Sequence, residues 1–103
     1  MNRIEQLLRF LSEQPNDSFL IHALALEYQK AGDDEQARYY FEQNLHKAPG
    51  YIATYYHLGK LLERKGAVQD AIAIYEQGMQ QARAAGDDHA FSELRSVYEE
   101  LTY

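Results

Sequence analysis

A period of 34 residues constrains this chain more than any other feature. Gly32 recurs as Gly66, Ala37 as Ala71, Leu24 as Leu58 and Phe41 as Tyr75, each pair 34 residues apart. Pro15 recurs as Pro49 at the same spacing. A fixed period of this length means stacked copies of one supersecondary unit, none of which buries its apolar face alone. Such a chain is expected to work by presenting a surface. The period does not say which partner meets that surface.

The pattern between the repeated positions is helical throughout. Ile4, Leu7, Leu8 and Leu11 form a stripe at helical spacing. Pro15-Asn16-Asp17 breaks the chain, and Asp17 is placed to cap a second helix. That helix carries Leu20, Ile21, Leu24, Ala25 and Tyr28, and Gly32 ends it. Asp33-Asp34-Glu35-Gln36 offers a cap and an acidic first turn to a third, which holds Ala37, Tyr40, Phe41 and Leu45 and stops at Pro49-Gly50. The second copy repeats the plan with Ile52, Tyr55, Leu58, Gly59 and Leu62 before Gly66, then Ala71, Ile72, Tyr75 and Met79. Arg83 stands where a third proline would fall, so this helix is expected to run on to Ala84 or Ala85. Asp87 or Asp88 then caps a last helix with Ala90, Phe91, Leu94, Val97, Tyr98 and Leu101 on one stripe. About six helices joined by short turns predict an all-α fold of antiparallel neighbours.

With 103 residues, 46% of them hydrophobic, the chain is expected to form one domain with a modest core. Met1 fits either a small complete protein or a segment of a longer array. The net charge of −6 argues against nucleic acid as a partner, because phosphates need a Lys/Arg footprint. Much of the excess sits in residues 87–100, where Asp87, Asp88, Glu93, Glu99 and Glu100 face a single base, Arg95. The absence of cysteine excludes disulfides and thiolate chemistry. No leader is visible at the N-terminus, and the apolar runs fall short of a membrane span, which together predict a cytoplasmic protein without a membrane partner. His22, His46, His57 and His89 show no metal-ligand spacing, the glycines form no phosphate loop, and the serines lack a nucleophile-elbow context. The expectation is a non-catalytic chain with no cofactor and no metal.

These positions resemble the tetratricopeptide repeat, whose pattern is W-x2-L-G-x2-Y, then A-x3-F, then P. The first copy reads Ile21-x2-Leu24-Ala25-x2-Tyr28, Ala37-x3-Phe41, Pro49. The second reads Tyr55-x2-Leu58-Gly59-x2-Leu62, Ala71-x3-Tyr75, Arg83. Small residues (Ala25, Gly59, Ala37, Ala71) would let two helices approach, and Phe41 and Tyr75 would fill the gap behind them. The resemblance divides a single domain, 1–103, into a half-repeat at 1–15, repeats at 18–51 and 52–85, and a capping helix at 86–103. Arg95, where a small residue is expected, marks the last helix as a cap, and Phe10, Asn44 and Arg83 also depart from the pattern. The resemblance, to a small bacterial-type member, implies a right-handed α-α superhelix.

It also implies a concave groove lined by the first helix of each repeat. Carried over by register, the groove takes Phe19, His22, Leu26, Gln29 and Lys30, then Ala53, Tyr56, His57, Lys60, Glu63 and Arg64, then Ser92, Ser96, Glu99 and Glu100. The leading candidates are His22, Leu26, Lys30, Tyr56, His57, Lys60 and Arg64. Lys30, Lys60 and Arg64 would suit a protein or peptide bearing acidic groups or a free C-terminus. The opposing reading pairs these cations with Glu27, Glu63 and other nearby acids on a solvated surface. Some family members clamp a partner's C-terminal carboxylates with Lys and Asn; here the corresponding first-helix residues are His22 and Leu26, which do not support that clamp. Of the nine tyrosines, Tyr28, Tyr55, Tyr75 and Tyr98 fall on core positions, whereas Tyr39, Tyr51, Tyr56 and Tyr103 have no evident core duty. The alternative function is self-assembly. Ile4, Leu7, Leu8, Phe10 and Leu11 cover a wide arc of a helix that lacks its first-half partner, which would favour a homodimer through the N-terminal helix.

Overall fold

The computed structural model describes residues 2–103, all but Met1. Six helices follow one another: α1 (Arg3–Glu13), α2 (Ser18–Lys30), α3 (Asp34–Lys47), α4 (Ala53–Arg64), α5 (Val68–Ala85) and α6 (Asp88–Thr102). The described residues contain no strand. None of these helices is long and apolar enough to cross a membrane.

Local chemistry sets the boundaries. The Asp17 carboxylate accepts the Leu20 N–H at 3.1 Å, Asp33 accepts Gln36 N–H at 3.1 Å, and Asp87 accepts Ala90 N–H at 3.0 Å. Each satisfies a donor that the first turn leaves without an intrahelical partner. Of the two aspartates offered by the sequence before α6, the first is the cap. Helices α2 and α4 end alike: Asp33 N–H reaches the Tyr28 carbonyl and Ala67 N–H the Leu62 carbonyl, both at 2.9 Å. This closure needs a left-handed residue just before it. Gly32 (φ 84°) and Gly66 (φ 80°) supply it, which is why glycine recurs there. Without a closing proline, α5 runs to Ala85, as its sequence predicts.

The chain clusters into two compact units, Met1–Ala48 and Pro49–Tyr103. In the first, α2 packs against both α1 and α3. Leu7, Ile21, Leu24, Ala25, Ala37 and Phe41 are buried there. Phe41 and the small pair Ala25 and Ala37 are all fully buried. The Lys47 ammonium donates to the Pro15 carbonyl at 3.0 Å, tying the end of α3 to the turn after α1.

In the second unit α5 packs against both α4 and α6. Tyr55, Leu58, Leu61, Leu62, Ala71, Tyr75, Ala82, Leu94 and Val97 form its core. The α4/α5 approach is so close that a Cβ on Gly59 would stand 2.1 Å from the Tyr75 ring. On Gly78 it would stand 2.6 Å from Cβ of Tyr55. The Tyr75 hydroxyl donates to the Glu63 carboxylate, and the Tyr55 hydroxyl to the Pro49 carbonyl at 2.6 Å. Burial, then the bond to Glu63, raises the Tyr75 pKa, so its proton stays on the phenol.

Candidate functional site

Successive first-half helices present side chains that have no packing duty. In the second unit these belong to α4 and α6. Tyr56 and Lys60 of α4 stand four residues apart, on one helical face. Ser92, Ser96 and Glu100 step by four along α6 in the same way. The two faces line one open cleft of about 470 Å³, whose lining also includes His89 and Glu93. Val97 adds an apolar side chain to its lining.

The cleft is polar and of mixed charge. Lys60 lies 3.7 Å from the Glu63 carboxylate, which Tyr75 also holds. Its side chain keeps 40% of its exposure. Glu93 stands 3.7 Å from His89. Glu100 adds a second carboxylate to the lining. Hydroxyls of Tyr56, Ser92 and Ser96 supply donors and acceptors that suit a peptide backbone. Of the leading candidates, Tyr56 and Lys60 thus come together, while His57 and Arg64 do not line the cleft. The His57 ring meets Tyr56 edge to face, centroids 5.7 Å apart, and burial lowers its pKa. Arg64 is exposed at the last turn of α4.

The first unit presents fewer of its candidates. The sequence reading places His22 on the groove, but its side chain is only 6% exposed, with its ring 5.7 Å from that of Phe41. A four-residue step fixes which residues share a helical face; it does not fix how deeply each one sinks. Leu26 is half-buried. Lys30 is exposed and lies 3.6 Å from Glu27. Phe19 is 60% exposed, the most open of the aromatic side chains on α2. The amide oxygen of Gln29 is buried without a hydrogen-bond partner among the described residues.

The sequence reading missed a second depression, between α5 and α6. It encloses about 230 Å³ and is lined by Glu76, Met79, Gln80, Arg83, Phe91 and Tyr98. The Arg83 guanidinium lies 4.8 Å over the Phe91 ring, a cation–π arrangement. The signal was present in the missing proline at Arg83, since it lengthens α5 alongside α6.

Solved structures resemble this chain closely. A tetratricopeptide repeat domain protein from Salinibacter ruber, determined in solution by NMR, shares 40% identity and superposes with a TM-score of 0.81. That match covers 84% of this chain and 88% of the other. A crystal structure of a tetratricopeptide repeat domain protein from the same organism gives 40% identity and a TM-score of 0.79, covering 84% of this chain and 96% of that one. A protein from Bordetella parapertussis shares the fold at 24% identity, with a TM-score of 0.82 over 99% of this chain and 89% of its own. No protein-family model and no curated protein matches the sequence.

Proposed function

The chain belongs to the tetratricopeptide repeat family, and from that premise we infer that it is a protein-interaction module that holds an extended peptide or partner helix on its first-half helices. The observation that carries the reading is the open α4/α6 cleft, where Tyr56, Lys60, Ser92, Ser96 and Glu100 converge without a core role. Repeats at 18–51 and 52–85, flanked by a half-repeat and a capping helix, would act as one binding domain. In the first unit, Lys30 and Leu26 belong to the equivalent face of α2, and in the second Arg64 and His57 flank the cleft on α4. The module binds and does not catalyse.

The lining selects a particular kind of partner. Lys60 offers one cation, while Glu93 and Glu100 repel further acidic groups. A peptide bringing a single carboxylate to Lys60, such as a free C-terminus, satisfies both. The test compares capture from a lysate of the source cells by wild type and by Lys60→Glu/Arg64→Glu. A partner held by wild type should be lost by the variant, with helicity by circular dichroism unchanged. Equal retention by both proteins would remove the cleft from the reading.

A second reading is self-association through α1. Leu7 is the one described residue of that helix that is fully buried, whereas Leu8 and Phe10 are 38% and 48% exposed. Mass measured by light scattering across protein concentrations separates the two readings.

A further inference from the structure

The two copies of the repeat differ at three linked positions. In the second copy Lys60, Glu63 and Tyr75 form one chain of contacts. The Tyr75 hydroxyl donates to Oε2 of Glu63, and the same oxygen lies 3.7 Å from the Lys60 ammonium. At the positions 34 residues earlier stand Leu26, Gln29 and Phe41. The first copy therefore has no cation, no anion and no hydroxyl there. It also shows what the hydroxyl supplies. The Gln29 amide oxygen, at the Glu63 position, is buried without a hydrogen-bond partner among the described residues, and Phe41 has no donor to offer it.

The Tyr75 ring is fully buried and takes no part in lining the cleft, whereas Lys60 lines it. Its hydroxyl nevertheless feels the cleft. Burial and the bond to Glu63 raise the Tyr75 pKa most, and Tyr56 and Glu100, both of the cleft lining, add to the rise. An ion pair three residues apart on an open helix surface holds loosely, because both long side chains keep their freedom. This pair differs: the Glu63 side chain is only 23% exposed, and its carboxylate is fixed by a buried group.

We propose that Tyr75 and Glu63 are positioning residues for Lys60, holding its ammonium at the cleft to meet a partner's carboxylate. This rests on the binding reading above and names the residues on which its charge selectivity depends. Anchored by Tyr75, the carboxylate keeps one direction and ties the flexible lysine stem beside the cleft before a partner arrives. That removes part of the ordering cost of binding. Freed from the hydroxyl, the carboxylate can turn onto the ammonium, and the stem can swing into solvent. Both changes weaken capture of an incoming carboxylate. Tyr75 does not touch the partner; it acts through Glu63. The first copy, with Leu26 at the Lys60 position, reads no charge there.

The test titrates the isotope-labelled full chain with two probes, followed by NMR at the amides of Tyr56, Lys60, Ser92 and Ser96. One probe is a short N-acetylated peptide of alanine and leucine with a free C-terminal carboxylate; the other is the same peptide as its C-terminal amide. Wild type should bind the acid more tightly than the amide. Tyr75→Phe gives the second copy the residue of the first, so circular dichroism should show the fold unchanged. It should lower the preference for the acid by about threefold or more while the amide binds as before. Glu63→Asp, which keeps the charge but loses the reach, should do the same. Lys60→Met should abolish the preference, and adding Tyr75→Phe to it should change nothing further. Equal weakening of acid and amide by Tyr75→Phe would overturn the proposal, because the hydroxyl would then only hold the fold. An acid preference untouched by Tyr75→Phe and Glu63→Asp would also overturn it and leave the binding reading standing. Wild type that does not distinguish acid from amide would overturn the reading of Lys60 as a carboxylate site, and this inference with it.

Discussion

Single residues set the two tightest constraints in the chain. Gly59 lets the Tyr75 ring lie against the backbone of α4, where any Cβ would stand 2.1 Å from a ring carbon. Alanine at this helical position would gain helix propensity of about 1 kcal/mol. The overlap wins, because the ring is fully buried and its hydroxyl is tied to Glu63. Gly59→Ala should cost about 1–3 kcal/mol net, seen as a lower Tm in calorimetry. A Tm at or above that of wild type would mean the ring has room to move. His57 provides a pH test. Burial lowers its pKa when folded, while the unfolded imidazole keeps its ordinary value near ~6.5. Below that value the unfolded chain binds a proton that the folded chain refuses, so this contribution to stability falls as pH drops toward the folded pKa. The urea midpoint of wild type should fall more steeply than that of His57→Gln between about pH 7 and about pH 5. Parallel curves would show that His57 is not the group responsible.

At the scale of the helix, stability depends on where each element starts and stops. Asp17, Asp33 and Asp87 each satisfy an orphan N–H, whereas α4 and α5 begin without a side-chain cap. Asp17→Ala should destabilise the chain by about 1 kcal/mol, measured by urea titration, and Asp17→Asn should recover most of it. An unchanged midpoint in Asp17→Ala would show that α2 is held by packing alone. The starts of α2, α3 and α6 and the glycine ends of α2 and α4 were legible in sequence, because caps and glycine closures depend on neighbours a few residues apart. The depth of a side chain was less legible. The last helix was read as one stripe of six, yet only Leu94 and Val97 are fully buried. The stripe on α1 likewise buries Leu7 alone, among its described residues. Helical spacing shows which residues can face a neighbour; the neighbour decides how much each is covered.

For the molecule as a whole, the second unit offers two separate surfaces. The α4/α6 cleft is polar and centred on Lys60; the α5/α6 depression is largely apolar and centred on Phe91. If the chain self-associates through α1, which lies in the first unit, Lys60→Glu/Arg64→Glu should lose the partner yet keep concentration-dependent sedimentation, and Phe10→Glu should do the reverse. Loss of both properties in either variant would show that the cleft and α1 are coupled. The sequence by itself determined the repeat, the six helices, the caps of α2, α3 and α6 and the family, because a 34-residue period repeats the same short-range contacts and these need no distant partner. It also put Tyr56 and Lys60 on one face of a first-half helix, since position in the repeat assigns them there. Only the tertiary structure decided that His22 is buried beside Phe41, that Lys60 shares its cleft with Glu93 and Glu100, and that Phe91 lies beneath Arg83. Those outcomes depend on distances between helices far apart in sequence, and the pattern along one helix does not encode them.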